Sequence, residues 1–465
     1  MPWFLSEILV VLGIILTIAV VAVMLRQRRS PQSSLAWLIS ILFLPYLAIP
    51  LFLMLGQRKL LRRGAIPVAR FDAAAPPQPL PEDEASRIDL MLRSYGIPGA
   101  TTGNTVKVLT TGQEGWQGLT DVIQRAQTTL DIETFIFSCD SSGRKILDLL
   151  LEKARSGVKV RLLVDAIGSF HTPKAFFEPL TAAGGQVLRF MPLFHNPLKG
   201  RTNLRNHRKI TVADSCMAMA GGMNIVSEEL SPDRQAHQWS DLAFLVEGPA
   251  AEQYAGIFQS DWQFSSTDEP PGSSGARTPP LRHENSGEAV VQVLPSGPDA
   301  AFDTIYDTVI TAVFEARERL WIITPYFVPD EALNRSLVIA CHRGIDVRIV
   351  VPDRSNHPLT DLAGASFMRE IETAGGTILR YMNGMVHAKA LIMDNTLAMA
   401  GSANMDLRSF FLNFEVMQLC YSLPEIAAIE AYALRLMTEC RRGMPPPGRG
   451  RDLLEATIRL GAPLL

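Results

Sequence analysis

The chain has 465 residues, enough for about three domains, and its 47% hydrophobic and 20% charged content excludes a disordered or low-complexity protein. Its 44 basic and 47 acidic side chains leave a net charge of −3, so bulk charge offers no case for a nucleic-acid partner. Five scattered cysteines without a Cys-x-x-Cys pair exclude a disulfide framework and a thiolate zinc site.

The first sixty residues are a different material from the rest. Ile8 to Leu25 and Leu35 to Leu55 carry no charge, and at 1.5 Å per helical residue each reaches about 30 Å, the thickness of a bilayer core. Arg26, Arg28 and Arg29 with Ser30-Pro31 separate the two runs, and Arg58, Lys59, Arg62 and Arg63 follow the second. No basic segment precedes the first run, which argues against a cleaved signal peptide. The expectation is a membrane hairpin, kinked or re-entrant at Pro45 and Pro50. A hairpin puts both termini on one side, and the basic flank after the second run places that side in the cytoplasm. Arg58, Arg62 and Arg63 then meet anionic head groups, at about 1 kcal/mol each.

Ala69 to Pro81 reads as an Ala/Pro-rich linker, and beyond it the chain repeats itself. Ala154-Arg-Ser-Gly-Val-Lys-Val-Arg-Leu-Leu-Val-Asp165 matches Cys341-His-Arg-Gly-Ile-Asp-Val-Arg-Ile-Val-Val351, each a helix end, a glycine stop and a buried strand. Ala183-Gly184-Gly185 matches Ala374-Gly375-Gly376, and Gly221-Gly222-Met-Asn224 matches Gly401-Ser402-Ala-Asn404. Offsets of about 180–190 residues recur in the same order, too long for a solenoid, so two domain-sized α/β halves are expected. The chain divides into a two-helix anchor at 1–60, a linker and lead-in at 61–100, a first half at 101–264, a Ser/Pro/Gly-rich linker at 265–287 and a second half at 288–465.

The chemistry concentrates in two copies of His-x-Lys-x4-Asp-x6-Gly-[Gly/Ser]-x-Asn, at His207, Lys209, Asp214, Gly221 and Asn224, and at His387, Lys389, Asp394, Gly401, Ser402 and Asn404. In a strand, positions i and i+2 share a face, so each imidazole lies beside an ammonium. That pair suits an anionic centre: lysine neutralises a phosphate while histidine attacks it or moves a proton. Glycines let backbone amides approach an anion, and each asparagine adds donors. A single His-x-Lys is most simply a half-exposed edge strand; two copies matching at six positions are not. Each half also supplies a later acid, Asp241 and Glu415, placed to accept from one ring nitrogen and aim the other. Asp214 and Asp394 are given a supporting role, holding the strand turn or pairing with lysine. Of the other histidines, His195 and His357 are candidates for the pocket mouth, whereas His171, His237, His283 and His342 read as solvated or structural.

The duplicated pattern resembles that of the phospholipase D superfamily. The chain is more closely similar to bacterial cardiolipin synthases with two N-terminal membrane segments, on Ala36-Trp37-Leu38, Phe43-Leu44-Pro45-Tyr46, Arg205-Asn206-His207-Arg208-Lys209, Thr324-Pro325-Tyr326-Phe327-Val328-Pro329, Arg343-Gly344-Ile345-Asp346-Val347-Arg348, Asn413-Phe414-Glu415 and Pro463-Leu464-Leu465. The resemblance implies a duplicated α/β fold sharing one active site behind a helical hairpin in the inner membrane, using neither metal nor cofactor. It implies transfer of a phosphatidyl group between two phosphatidylglycerol molecules, giving cardiolipin and glycerol through a phosphohistidine. His207 is assigned the nucleophile and His387 the acid/base, in a sequence nearly symmetric at that point. Lys209, Lys389, Asn224 and Asn404 would hold phosphate oxygens, and Asp241 and Glu415 would orient their respective imidazoles. Hydrolysis to phosphatidate uses the same residues and stands as the alternative. A non-catalytic scaffold predicts eroded motifs, which neither copy shows. Oligomeric state is not written in these residues.

Overall fold

The computed structural model describes residues 3–26, 31–55, 84–191, 203–233, 238–266 and 287–460. The basic cluster at residues 58–63, most of the expected central linker, His195, His237, His283 and residues 463–465 lie outside them. The chain forms two compact units, Met1–Ala65 with Met191–Leu204, and Ile66–Phe190 with Arg205–Leu465.

In the first unit the apolar runs become three helices, α1 (Trp3–Arg26), α2 (Pro31–Phe43) and α3 (Pro45–Leu55). The second run breaks at Leu44 because proline disfavours helical geometry in the residue before it. Val20, Met24, Ile41, Ala48, Ile49 and Phe52 pack together. Ile18, Leu42, Phe43 and Leu47 stay exposed. Among the described residues no helix is long and apolar enough to cross a membrane, so the expected pair of spanning segments is not seen.

The second unit opens with α4 (Glu84–Ser94), a helix within the stretch read as lead-in. Its strands are β1 (Thr101–Leu109), β2 (Thr129–Thr134), β3 (Lys159–Asp165), β4 (Gln186–Phe190), β5 (Arg205–Asn206), β6 (Ile210–Ala213), β7 (Met217–Gly221) and β8 (Ala243–Glu247), followed by β9 (Ala289–Ser296), β10 (Arg319–Ile323), β11 (Phe327–Val328), β12 (Asp346–Pro352), β13 (Thr377–Tyr381), β14 (Ala390–Met393), β15 (Leu397–Gly401), β16 (Met405–Asp406), β17 (Asn413–Cys420) and β18 (Cys440–Arg442). One sheet runs β18-β13-β12-β10-β14-β15-β17-β9-β1-β8-β7-β6-β2-β3-β4. Reading outward in both directions from the antiparallel β1/β9 pair, the same order of strands appears twice, with β1 matching β9, β8 matching β17 and β6 matching β14. The duplication seen in the residues is therefore a duplication of topology.

β3, β10 and β12 are mainly buried apolar residues, as parallel strands covered on both faces require, whereas β2 alternates buried Leu130 and Ile132 with buried Asp131 and Glu133. Helices Pro249–Ser265 and Leu423–Thr438 pack across the junction of the copies, where Tyr254, Ile257, Ile429 and Tyr432 join residues of both in one core. Asp140 and Asp330 cap equivalent helices by accepting from Gly143 N and Leu333 N. Gly157 and Gly344, at φ 93° and 86°, end those helices in left-handed turns that favour glycine.

Candidate active site

Two short cross-copy pairings bring the motifs together. β5, immediately before His207, pairs in parallel with Asn413 and Phe414 of β17, immediately before Glu415. Ser240, immediately before Asp241, bridges Val386, immediately before His387. The backbone amide of His207 donates to the Phe414 carbonyl at 2.9 Å, and that of His387 donates to the Ser240 carbonyl at 2.7 Å.

The pairing of acids with imidazoles is consequently crossed. Nδ1 of His207 lies 3.0 Å from Glu415 Oε2, and Nδ1 of His387 lies 2.7 Å from Asp241 Oδ2. This corrects the expectation that each acid serves the histidine of its own half. The reason is geometric: each acid follows the very residue that pairs with the other copy's motif.

The two imidazoles differ in detail. Nδ1 of His207 also faces the Ser402 carbonyl at 3.0 Å. With two acceptors there, Nδ1 carries the hydrogen and Nε2 keeps its lone pair. Burial, with Lys209 and Lys389 nearby, lowers the His207 pKa to about 4 despite Glu415. At His387, Nδ1 sits between an acceptor, Asp241, and a donor, Lys389 Nζ at 2.9 Å. Both acids stay below their usual range although burial pushes them up: Lys389 and His387 outweigh it for Asp241, His207 and Lys209 for Glu415. Burial and the neighbouring Lys389 bring the Lys209 ammonium down to about 7, and burial also lowers Lys389. Each lysine donates to the carbonyl of its own motif's histidine. Phe135 walls the first motif, its ring 4.9 Å from that of His207 and 5.4 Å from Lys209 Nζ.

Other expected roles are redistributed. Asp214 accepts from the amides of Gln127, Thr128 and Thr129 at 2.7–2.8 Å, and Asp394 from those of Arg317, Glu318 and Arg319 at 2.8–3.0 Å. Both stand at positive φ, 50° and 49°. They hold the strand turn and the start of the neighbouring strand, and do not join the reacting groups. The amides of Gly221 and Gly401 donate to the carbonyls of Lys209 and Lys389, so they are not open to an anion. The glycines serve close approach instead: a Cβ on Gly221 would stand 2.5 Å from Ala243 Cα, and one on Gly401 2.3 Å from the Val416 carbonyl. Asn224 spends its amide hydrogens on Glu229 and its oxygen on the Ile136 amide. Asn404 Oδ1, in contrast, is buried without a partner among the described residues. Ser402 donates to Glu415. Gly222 stands at the equivalent place because a Cβ there would lie 2.2 Å from Asp241 Oδ1. His357 packs edge-on to Tyr326, ring centroids 5.2 Å apart.

Glu229 was missed in the sequence. It is 1% exposed, and its carboxylate lies 3.7 Å from His387 Nδ1. Inside Ser-Glu-Glu-Leu it has the look of a surface acid, and only its burial beside Asn224 reveals it. Among the described residues, Glu229, Asp241 and His387 offer ligand atoms within 4.8 Å of one another. Lys389 Nζ stands among them, 2.9 Å from Nδ1 and 3.9 Å from Asp241.

The family described as cardiolipin synthase, PLD-like domain, matches residues 119–262 and 309–437, and the phospholipase D-nuclease N-terminal family matches 15–57. Cardiolipin synthase 1 of Bacillus cereus is 31% identical, over 94% of this chain and 90% of its own. Cardiolipin synthase of Geobacillus thermodenitrificans is 34% identical, over 85% and 80%. The major cardiolipin synthase of Bacillus subtilis is 32% identical, over 90% of each chain. The crystal structure of phosphatidylserine synthase from Haemophilus influenzae shares the fold at a TM-score of 0.60 and 14% identity, covering 82% of this chain and all of that one.

Proposed function

The chain belongs to the cardiolipin synthase family of phospholipase D-like enzymes, and from that premise we propose how its own residues carry the transfer. It is a phosphatidyltransferase that makes cardiolipin. Phosphatidylglycerol is donor and acceptor. His207 Nε2 attacks phosphorus, the bond to the headgroup glycerol breaks, and His387 gives that oxygen its proton. His387 then takes the proton from a hydroxyl of a second phosphatidylglycerol, whose oxygen displaces His207 and leaves cardiolipin. Lys209 and Lys389 stabilise charge on the phosphoryl oxygens.

The tautomer geometry carries the assignment of roles. Two acceptors fix the proton of His207 on Nδ1 and leave Nε2 free to attack. At His387, Asp241 and Lys389 engage Nδ1, which leaves Nε2 to exchange the proton with the departing and arriving oxygens. We propose the division into two halves at 101–264 and 288–465 as the working unit of this chemistry. We place the N-terminal helices at the inner membrane, supported by their exposed Ile18, Leu42, Phe43 and Leu47. Purified enzyme given phosphatidylglycerol labelled separately in acyl chain and headgroup tests the reading. Cardiolipin and glycerol in equal amounts are expected; phosphatidate with glycerol would replace transfer with hydrolysis.

A further inference from the structure

The two copies match at the reacting groups and part company directly beneath them. Glu133 faces Ile210 in the register in which Ile323 faces Ala390. Asn206 and Arg208 flank His207 as Val386 and Ala388 flank His387. A polar trio in one copy thus replaces an apolar trio in the other. Ile323, Val386 and Ala388 lie in the hydrophobic core. Glu133, Asn206 and Arg208 are just as buried, at 1%, 3% and 2% exposed.

Arg208 reaches across the junction of the copies. Its Nη1 donates to Asp261 at 2.6 Å, its Nη2 to the Ser296 carbonyl at 3.0 Å, and its Nε to the Glu415 carbonyl at 3.0 Å. Its guanidinium carbon lies 5.4 Å from the centre of the Phe414 ring. Asn206 completes the network, donating to Asp261 at 3.1 Å and Glu133 at 3.4 Å while its own oxygen accepts from the Arg208 amide at 3.0 Å. Burial and the adjacent Asp261 push the Glu133 carboxyl well above its usual range, and the acid that holds the Arg208 guanidinium directly is Asp261.

We infer that Arg208, held by Asp261, is a positioning residue that fixes the Phe414-Glu415 backbone of the opposite copy and thereby the carboxylate that aims His207. The inference rests on the proposed reading of His207 as nucleophile. A planar fork makes its bonds in fixed directions, and a buried guanidinium cannot give up a partner cheaply, so this backbone has one low-energy placement. A nucleophile must meet phosphorus along one line. An acid/base serves a departing oxygen and then an arriving one, and Ile323, Val386 and Ala388 impose no such directional bonds around His387.

The test uses the full chain in mixed micelles of phosphatidylglycerol, with rapid-quench measurement of phosphatidyl-enzyme. Arg208→Lys keeps the charge and loses the fork; Asp261→Asn keeps the size and loosens the anchor, and serves also if the first variant does not fold. Arg161→Lys is the control. Arg161 donates to Asp131 and Gln259 at 2.7 Å, a comparable pair away from the centre. Phosphatidyl-enzyme formation should slow roughly 10- to 100-fold in the first two variants, with KM within about twofold of wild type, and stay unchanged in the control. If His207→Ala still forms phosphatidyl-enzyme, the assignment of the nucleophile is overturned. If His207→Ala is inert while Arg208→Lys and Asp261→Asn react at the wild-type rate, the positioning role alone is overturned.

Discussion

The imidazole of His207 and the carboxylate of Glu415, 3.0 Å apart, belong to different copies of the repeat, and His387 and Asp241 repeat the exchange at 2.7 Å. Neither copy therefore holds a complete histidine–acid pair of its own. The centre exists only when β5 lies beside β17 and Ser240 beside Val386.

This exchange predicts which defects travel together. His207→Ala and His387→Ala should each abolish cardiolipin formation, and Glu415→Gln and Asp241→Asn should each slow it on the order of 100-fold or more. A phosphatidyl ester of p-nitrophenol, whose leaving group needs no proton, sorts the four. His387→Ala and Asp241→Asn should regain release of nitrophenol, while His207→Ala and Glu415→Gln should not. Recovery of His387→Ala together with Glu415→Gln, and not of Asp241→Asn, would show the acids serving their own copies.

The depressed His207 pKa has a consequence for stability. Between pH 4 and 6.5 an unfolded histidine binds a proton that the buried one, at about 4, refuses. The unfolded state then holds more protons, so stability rises with pH across this window and falls as the medium is acidified through it. The shift corresponds to at most about 3 kcal/mol. Denaturant midpoints between pH 4.5 and 7 should accordingly climb more steeply in the wild type than in His207→Gln. Parallel curves would mean that the folded imidazole titrates normally.

How much of this was legible depended on whether a feature was local. The His-x-Lys repeats, the glycine stops at Gly157 and Gly344 and the apolar strands are contiguous patterns, and they can be read from one copy by comparison with the other. The crossed pairing is set by two short contacts between segments about 210 and about 150 residues apart, which no periodicity records. The anchoring of Arg208 is not legible in the motif because its partners, Asp261, Ser296 and the Glu415 carbonyl, lie on three other segments. Asp214 and Asp394 were open to holding the strand turn or pairing with lysine; the backbone takes the first, and their fixed spacing from lysine reflects the length of a strand ending in a left-handed turn.

Asp214→Ala and Asp394→Ala should thus behave as folding mutants. Each removes a carboxylate that satisfies three successive backbone amides, at a cost of about 1–3 kcal/mol or somewhat more. Thermal unfolding should show the loss, while turnover per folded molecule stays within about threefold of wild type. A 100-fold fall in turnover with unchanged stability would return both aspartates to the reacting centre.

The N-terminal helices offer the last test, because they contribute none of the groups named at the centre. Their exposed Ile18, Leu42, Phe43 and Leu47 are side chains that water does not favour and a lipid surface does. Removing residues 1–60 should leave a folded second unit, since that unit has its own continuous sheet and cores. In detergent micelles, where diacyl substrate reaches the protein freely, the truncated enzyme should turn over at a rate close to that of the full chain. On phosphatidylglycerol vesicles it should be slower, and the deficit should shrink as vesicle concentration rises, because surface binding has become the limiting step. A truncated protein that folds yet is inert in micelles would instead show that these helices shape the active site.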